Sequence, residues 1–111
     1  MQRGDVYDAS LDPSQGSETQ KTRPVVIVSN NAANRSSAVI TVVPVTSNIT
    51  RVFPFEVLLP AQDTGLGKDS EAMAQQMRTL DKGRLGLNVV GQVPSVLMAR
   101  IDAALRLHLA L

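Results

Sequence analysis

Runs of β-branched and other apolar residues divide the chain into strands separated by polar segments. Residues 23–30 (RPVVIVSN) and 38–46 (AVITVVPVT) are largely apolar, which predicts two buried strands. Pro24 lies at the start of the first, where a strand tolerates proline, and Pro44 predicts a break or bulge in the second. Residues 4–11 predict a shorter and less regular strand before them.

The remaining segments are less regular. Residues 12–22 contain no large apolar side chain and predict an exposed loop, of a length often associated with function. Residues 31–37 predict a polar turn, 53–59 a third strand, 62–68 a turn containing glycine, and 85–93 a weak strand interrupted by glycine.

Residues 70–80 (SEAMAQQMRTL) are ambiguous. Their composition favours a helix on intrinsic propensity. However, residues 72, 74, 76 and 78 alternate with residues 73, 75, 77 and 79, and this two-residue period also suits a strand. The residues alone leave both structures open.

The end of the chain predicts an amphipathic helix after Pro94, because proline is favoured near the first turn of a helix. At 100° per residue, one face of this helix carries Leu97, Ile101, Ala104 and Leu105. His108 falls on the apolar side near the helix end, and we interpret it as a packed or helix-terminal residue rather than a catalytic one. Four or five strands followed by one helix predict a small barrel or strongly curved sheet.

Composition removes several classes of site. The chain has 111 residues, enough for a single domain over 1–111, with no cysteine and one histidine. Disulfide frameworks, thiolate nucleophiles, zinc sites built from cysteine and histidine, and a two-histidine ribonuclease mechanism are therefore excluded. Charges near the start and the shortness of every apolar run predict neither a signal peptide nor a membrane span, so we expect a cytoplasmic protein.

Charged residues are unevenly distributed although the net charge is only +1. Residues 19–55 contain no acidic residue, and five of the ten acidic residues lie between Glu56 and Asp81, in a stretch that we expect to be exposed. The acid-free region carries four basic residues: Lys21, Arg23, Arg35 and Arg51. Chance segregation and an anion-binding surface both explain this distribution.

Polar groups at the ends of the two buried strands are the best candidates for chemistry. Arg23 is the last charged residue before one strand, and Thr46 and Ser47 follow the other. If these strands are neighbours, the three side chains converge at one rim beside the loop 12–22. A guanidinium with hydroxyl donors is suited to phosphate recognition. A phosphodiester-binding site and a structural arginine beside a polar strand end both remain open on this pattern.

Five motifs in order, spread over nearly the whole chain, resemble the MazF/PemK family of toxin endoribonucleases from bacterial toxin–antitoxin pairs. They are RGDVY (3–7), LDPSQGSE (11–18), RPVVIVSN (23–30), VTSN (45–48) and QMRTLDKGRL (76–85). The resemblance implies a mainly β, SH3-like small barrel of about five to seven strands, closed by a C-terminal amphipathic helix. It also implies a homodimer, and it makes residues 75–80 (QQMRTL) a strand.

The same resemblance implies cleavage of single-stranded RNA, without a metal or organic cofactor, in the bacterial cytoplasm. In that family the arginine of the RP motif and the threonine of the TSN motif carry the chemistry, and these are Arg23 and Thr46 here. Four further residues match positions that line the RNA groove: Glu18, Ser47, Asn48 and Gln76. We expect the backbone of the RNA to follow Lys21, Arg35 and Arg51. Thr19 departs from the common GSEQ sequence of the family, which bears on base preference.

The partner implied by the resemblance is an antitoxin whose C-terminal segment, often acidic, lies across the basic groove and blocks RNA. Two alternatives stay open. The first is a toxin of the same fold that binds a protein, as the related gyrase-poisoning toxins do, in which case Arg23 and Thr46 would be dispensable. The second is an inactive module that binds RNA or an antitoxin.

Overall fold

The computed structural model describes residues 1–13, 15–18, 21–49 and 53–111. Within these residues the chain forms seven strands and three α-helices. The strands are β1 (Asp5–Ser10), β2 (Thr22–Ile27), β3 (Val39–Thr46), β4 (Glu56–Leu59), β5 (Ser70–Met73), β6 (Arg78–Asp81) and β7 (Gly91–Gln92). The helices are α1 (Asn31–Ser36), α2 (Ala61–Thr64) and α3 (Ser95–Leu109).

The strands form an antiparallel sheet in the order β4-β5-β3-β2-β1-β7, and β6 pairs with the first half of β3. The central strands are buried on both faces, which explains their continuous apolar sequences. One face, here called the helix face, carries Val26 and Val43 and packs against α3. The other, the barrel face, carries Val25 and Val42 and is closed by β6 and Leu85 as the sheet curls on itself. The predicted mainly β, barrel-like fold is confirmed.

The break that the sequence predicts at Pro44 occurs in the pairing and not in the strand. β3 runs unbroken from Val39 to Thr46. Its first four residues pair with β6, whereas Val45 and Thr46 pair with β5. Pro44 has no N–H group to donate, and it lies between the two pairings, where the ladder on that side is interrupted.

Residues 70–80 form two strands joined by a single turn. β5 pairs with β3 on one side and β4 on the other, and β6 pairs with β3. A 3₁₀ turn at Ala74–Gln76 separates them. The strand that the family resemblance implies at residues 75–80 is confirmed from Arg78 onwards, in β6, whereas Gln75 and Gln76 belong to the turn. Tertiary pairing overrides the helix propensity of the segment.

Three connecting segments differ from their predictions. Residues 31–37, predicted as a turn, contain helix α1, because the Asn30 side chain caps it by accepting the Ala33 N–H. The predicted glycine turn at 62–68 contains α2, which ends at Gly65 in the left-handed conformation. The predicted strand at 85–93 is reduced to two residues, Gly91–Gln92.

The predicted C-terminal helix is confirmed. It begins after Pro94, and Leu97, Ile101 and Ala104 are buried against the helix face of the sheet. His108 is exposed in the last turn, and its ring centroid lies 6.4 Å from that of Phe55. No helix within the described part of the chain is long and apolar enough to cross a bilayer.

Candidate active site

Arg23 and Thr46 lie side by side at one end of the central strands. β2 and β3 are antiparallel neighbours in which Val25 pairs with Pro44, and continuing this register by two residues places Arg23 opposite Thr46. Opposite residues of an antiparallel pair point to the same face, with Cβ atoms about 4.5–5.5 Å apart. Both side chains are half-buried on the barrel face. The structure thus brings together the two residues that the sequence singled out.

The hydrogen bond at Thr46 leaves its own proton available to a ligand. The Thr46 hydroxyl oxygen accepts the Asn48 backbone N–H at 3.1 Å. A hydroxyl group that accepts one bond can still donate its hydrogen to a further acceptor. Ser47 and Asn48 follow Thr46 and are exposed. Arg23 and Thr46 can therefore present donors to the oxygen atoms of a phosphoryl group.

The next residue across the sheet is a buried carboxylic acid. Glu71 pairs with Thr46 in the register of β5 and β3, and it is only 2% exposed, so the expectation that this acid is exposed is wrong. Burial raises the pKa of Glu71, and the carboxylate of Glu56 raises this pKa further. The Glu56 carboxylate accepts the Phe53 N–H at 3.1 Å and the Gln75 side-chain amide at 3.3 Å.

The loop after β1 is fastened to the barrel through its main-chain carbonyl groups. Arg78 donates to the carbonyl oxygen of Leu11 at 2.9 Å, and Arg84 donates to that of Asp12 at 2.8 Å. Sequence analysis assigned no role to either arginine. The signal that could have found them is their position in the QMRTLDKGRL motif, where Arg78 pairs with a buried residue of β3.

Gln76 also holds this loop. Its side-chain amide donates to the carbonyl oxygen of Ser17 at 3.2 Å. Glu18, the last described residue before a gap in the loop, is exposed, and its carboxylate accepts the Gln15 N–H at 2.5 Å. Gln76 and Glu18 thus both lie along the loop that leads to Arg23.

Lys21 ends the loop in an uncommon backbone conformation. Its φ angle is +68°, a region that costs non-glycine residues about 1–3 kcal/mol. The Lys21 N–H donates to the Asp12 carboxylate at 3.1 Å, and the Lys21 carbonyl accepts the Leu11 N–H at 3.0 Å. These bonds hold the backbone in this conformation, and the Lys21 side chain is exposed immediately before β2.

A groove of about 400 Å³ lies beside Arg23 and includes a lysine that the sequence did not single out. We call it the Lys68 groove. Its charged and polar lining consists of Lys21, Arg23, Lys68, Thr22, Ser47 and Ser70. Pro24, Val45, Leu66 and Gly67 complete it. Neighbouring residues of a strand point to opposite faces, so Pro24 and Val45 face away from Arg23 and Thr46. The groove therefore lies mainly on the helix face, and the arginine and threonine lie on the barrel face at the same strand ends.

Two predicted backbone contacts have different outcomes. Arg35 lies in the last turn of α1, which follows the far end of β2, so it is separated from Arg23 by the length of the strand. The prediction that Arg35 belongs to the same surface is therefore wrong. Arg51 and Thr19 lie outside the described residues.

A curled antiparallel sheet, a C-terminal helix on one face, and an arginine beside a threonine at the strand ends define the small-barrel class to which several toxins belong. A sequence model of the PemK-like, MazF-like toxins of type II toxin–antitoxin systems matches residues 2–109. The chain belongs to this family.

Individual relatives agree with this assignment. The chain is 48% identical to endoribonuclease MazF9 of Mycobacterium tuberculosis, with 100% of this chain and 98% of the relative covered. A solved endoribonuclease in complex with its cognate antitoxin, from a mycobacterial species, is 32% identical with a TM-score of 0.82, covering 100% of this chain and 96% of that one. The crystal structure of MazF from Deinococcus radiodurans is 27% identical with a TM-score of 0.87, covering 100% and 97%.

Proposed function

We propose that this protein is an endoribonuclease toxin that cleaves single-stranded RNA. The observation that carries the proposal is the placement of Arg23 opposite Thr46 at the rim of the barrel. The family to which the chain belongs, and a relative named endoribonuclease that is 48% identical over the whole chain, support it. These relatives favour RNA cleavage over the alternative of a toxin that acts by binding a protein.

The proposed reaction is attack of the ribose 2′-hydroxyl on the adjacent phosphorus. The O2′–P bond forms, the P–O5′ bond breaks, the 2′-hydroxyl loses its proton and the leaving O5′ gains one. The products are a 2′,3′-cyclic phosphate and a 5′-hydroxyl. Arg23 donates to the phosphoryl oxygens, which gain negative charge in the transition state, and Thr46 donates a further hydrogen bond. An arginine side chain keeps its proton in proteins and is therefore a poor base, so we assign Arg23 mainly to charge stabilisation. No step of this scheme requires a metal ion.

The RNA is proposed to lie along the rim on either side of this pair. Ser47 and Asn48 are exposed directly after Thr46 and offer hydrogen bonds to exposed bases. Glu18 and Gln76, which lie along the loop after β1, are proposed to line the side of the bound RNA. Lys21 would bind backbone phosphates of the RNA. We propose the same role for Arg51, which lies outside the described residues.

We also propose the partners and setting of the toxin. The solved relative that was crystallised with its cognate antitoxin supports an antitoxin for this chain as well. We infer that the C-terminal segment of this antitoxin covers the basic rim and competes with RNA. A homodimer formed from single toxin domains of residues 1–111, acting in the bacterial cytoplasm, completes the proposal.

The test compares the purified protein with the Arg23→Ala variant on a long, weakly structured RNA in the presence of EDTA, followed by mapping of the product ends. Discrete cuts that leave cyclic-phosphate and 5′-hydroxyl ends, and that are lost in the variant, are expected. A 2′-deoxy substitution at the cut nucleotide should abolish cleavage, because it removes the nucleophile. Loss of activity with EDTA would contradict the metal-independent scheme, and unchanged cleavage by the variant would contradict the assigned site.

A further inference from the structure

The Lys68 groove continues the candidate active site around the strand ends. Continuing the register of β2 and β3 by three residues, and that of β3 and β5 by one, aligns Thr22, Ser47 and Ser70 across the three strands. All three residues line the groove, so their hydroxyl groups form a row, here called the hydroxyl row. It lies one residue further along the strands than Arg23 and Thr46, and on the opposite face. A chain bound at Arg23 and Thr46 that passes over the strand ends therefore enters this groove.

Two exposed lysines border the groove. Lys21 and Lys68 are both exposed, and neither forms an ion pair with a carboxylate of the described residues. The acid next to Lys68 is occupied elsewhere, because the Asp69 carboxylate accepts the Ala61 N–H at 2.8 Å. Lysines that are not held in ion pairs, on both sides of a concave surface, attract an anionic ligand.

The segment that carries Lys68 is fixed before any ligand binds. The bond from Ala61 to Asp69 holds the segment against the start of α2. The Ser70 hydroxyl donates to the Lys68 carbonyl at 3.0 Å, and Ser70 is buried in β5. The main chain at Lys68 is thus attached at its carbonyl group and through the residue that follows it. Such a site loses little backbone entropy on binding, which favours affinity.

We propose that the Lys68 groove is a nucleotide subsite, in which Lys68 and Lys21 bind an RNA backbone phosphate next to the scissile one and the hydroxyl row contacts the adjoining ribose. The inference rests on the proposed function and adds Lys68 to the RNA-binding residues. A volume of about 400 Å³ falls in the range of small-molecule sites. Pro24 and Leu66 give the groove an apolar floor.

An RNA strand fits this lining better than an acidic peptide does. A carboxylate offers only acceptors, whereas a ribonucleotide offers phosphate acceptors together with a 2′-hydroxyl that both donates and accepts. Hydroxyl groups such as those of Thr22 and Ser47 suit a ribonucleotide, because a hydroxyl group can both donate and accept a hydrogen bond. The lysines then serve the phosphate and the hydroxyl row serves the sugar.

The test uses Lys68→Gln, with Arg106→Gln as the matched control, because Arg106 is an exposed cation on the last turns of α3. Loss of one phosphate contact should raise KM by roughly three- to tenfold and leave kcat unchanged. The slope of log(kcat/KM) against log[salt] should become shallower by about 0.7, the value for one contact on a single strand. The control should show neither change.

A second measurement locates the bound nucleotide. Uncleavable oligonucleotides, with a 2′-deoxy nucleotide at the mapped cut, are shortened by one nucleotide at a time from each end. Wild-type affinity should fall at one particular truncation, and Lys68→Gln should be insensitive to that truncation, because the contact is already missing.

Different failures are distinguishable. If the wild-type protein does not cut RNA, the proposed function fails. If it cuts RNA, but Lys68→Gln retains the wild-type KM and salt slope, only the subsite is overturned. A variant with normal RNA affinity and weakened binding of an acidic antitoxin-derived peptide would assign the groove to the protein partner and overturn the subsite as well.

Discussion

The two ends of β2 and β3 are built from similar polar residues that are used in opposite ways. At the end near α1, Asn34 is 3% exposed and exchanges hydrogen bonds with Ser29, whose hydroxyl also accepts the Thr41 N–H. Lys82 donates to the Asn34 carbonyl. At the end near the loop, the Thr46 hydroxyl keeps a donor for a ligand, and Lys68 has no ion-pair partner among the described residues. The polar groups at the α1 end bind one another within the protein, whereas those at the loop end can still bind an external anion.

This comparison separates structural from functional polar groups without reference to residue type. Buried polar groups stabilise a fold when their partners lie in the same molecule. Groups that are held firmly but still have hydrogen-bonding capacity indicate binding. Substitutions at the α1 end should therefore affect stability, and those at the loop end should affect catalysis.

The largest difference in kcat/KM is expected between substitutions of Arg23 and Arg35, which lie at opposite ends of β2. Arg23→Ala should lower kcat/KM by about 10³-fold, because one preorganised charged donor to the transition state is lost. Arg35→Ala, at the far end of β2, should leave kcat/KM within about twofold of wild type. Cleavage of a defined oligonucleotide measures both. Equal losses would mean that the two ends are not functionally distinct.

Thr46 is expected to show the next largest effect. Thr46→Val removes the donor but keeps the shape, and should lower kcat by about 10²-fold with a small change in KM. Thr46→Ser restores a hydroxyl and should recover most of the rate. Circular dichroism should show both variants folded, and a serine variant as slow as the valine variant would argue against a hydrogen-bonding role.

A substitution at Asn34 tests the hydrogen-bond network at the α1 end. Asn34→Ala leaves the Ser29 hydroxyl and carbonyl without their partner and should lower the free energy of unfolding by about 2 kcal/mol. Urea unfolding measures this loss. The rate per folded molecule should stay at the wild-type value below the melting temperature, and a loss of rate without a loss of stability would contradict the comparison.

The smallest effect concerns pH. The pKa of Glu71 is raised in the folded state, so the folded protein holds this proton more tightly than the unfolded chain does. The contribution of Glu71 to stability is therefore favourable below the ordinary carboxyl pKa and is lost as the pH rises through the raised value. Glu71→Gln should be more stable than wild type at neutral pH, and this advantage should shrink towards acid pH. Urea unfolding at several pH values, with the exposed Asp63→Asn variant as control, tests this, and a pH-independent difference would contradict it.

Sequence alone predicts those parts of the molecule that depend on local pattern. The central strands follow from their β-branched runs, and Arg23 and Thr46 from their places at the strand ends. Glu71 was assigned to an exposed stretch because composition does not reveal that β5 has a neighbour on both sides. Lys68 was not predicted as part of the site, because it reaches Arg23 only through tertiary packing. Arg35 was misplaced, since a run of basic residues does not specify the strand end on which each one falls.

The fastening of the loop after β1 has a consequence for how these toxins diversify. Arg78, Arg84 and Gln76 bind main-chain carbonyl oxygens of Leu11, Asp12 and Ser17, respectively. Every amino acid supplies the same carbonyl group, so exchanges of loop side chains leave these attachments intact. The loop side chains that we propose to meet the RNA bases can therefore change while the loop keeps its course beside Arg23. Target preference and catalytic geometry are thus separately variable in this barrel, and new cleavage specificities can arise by substitution without rebuilding the site.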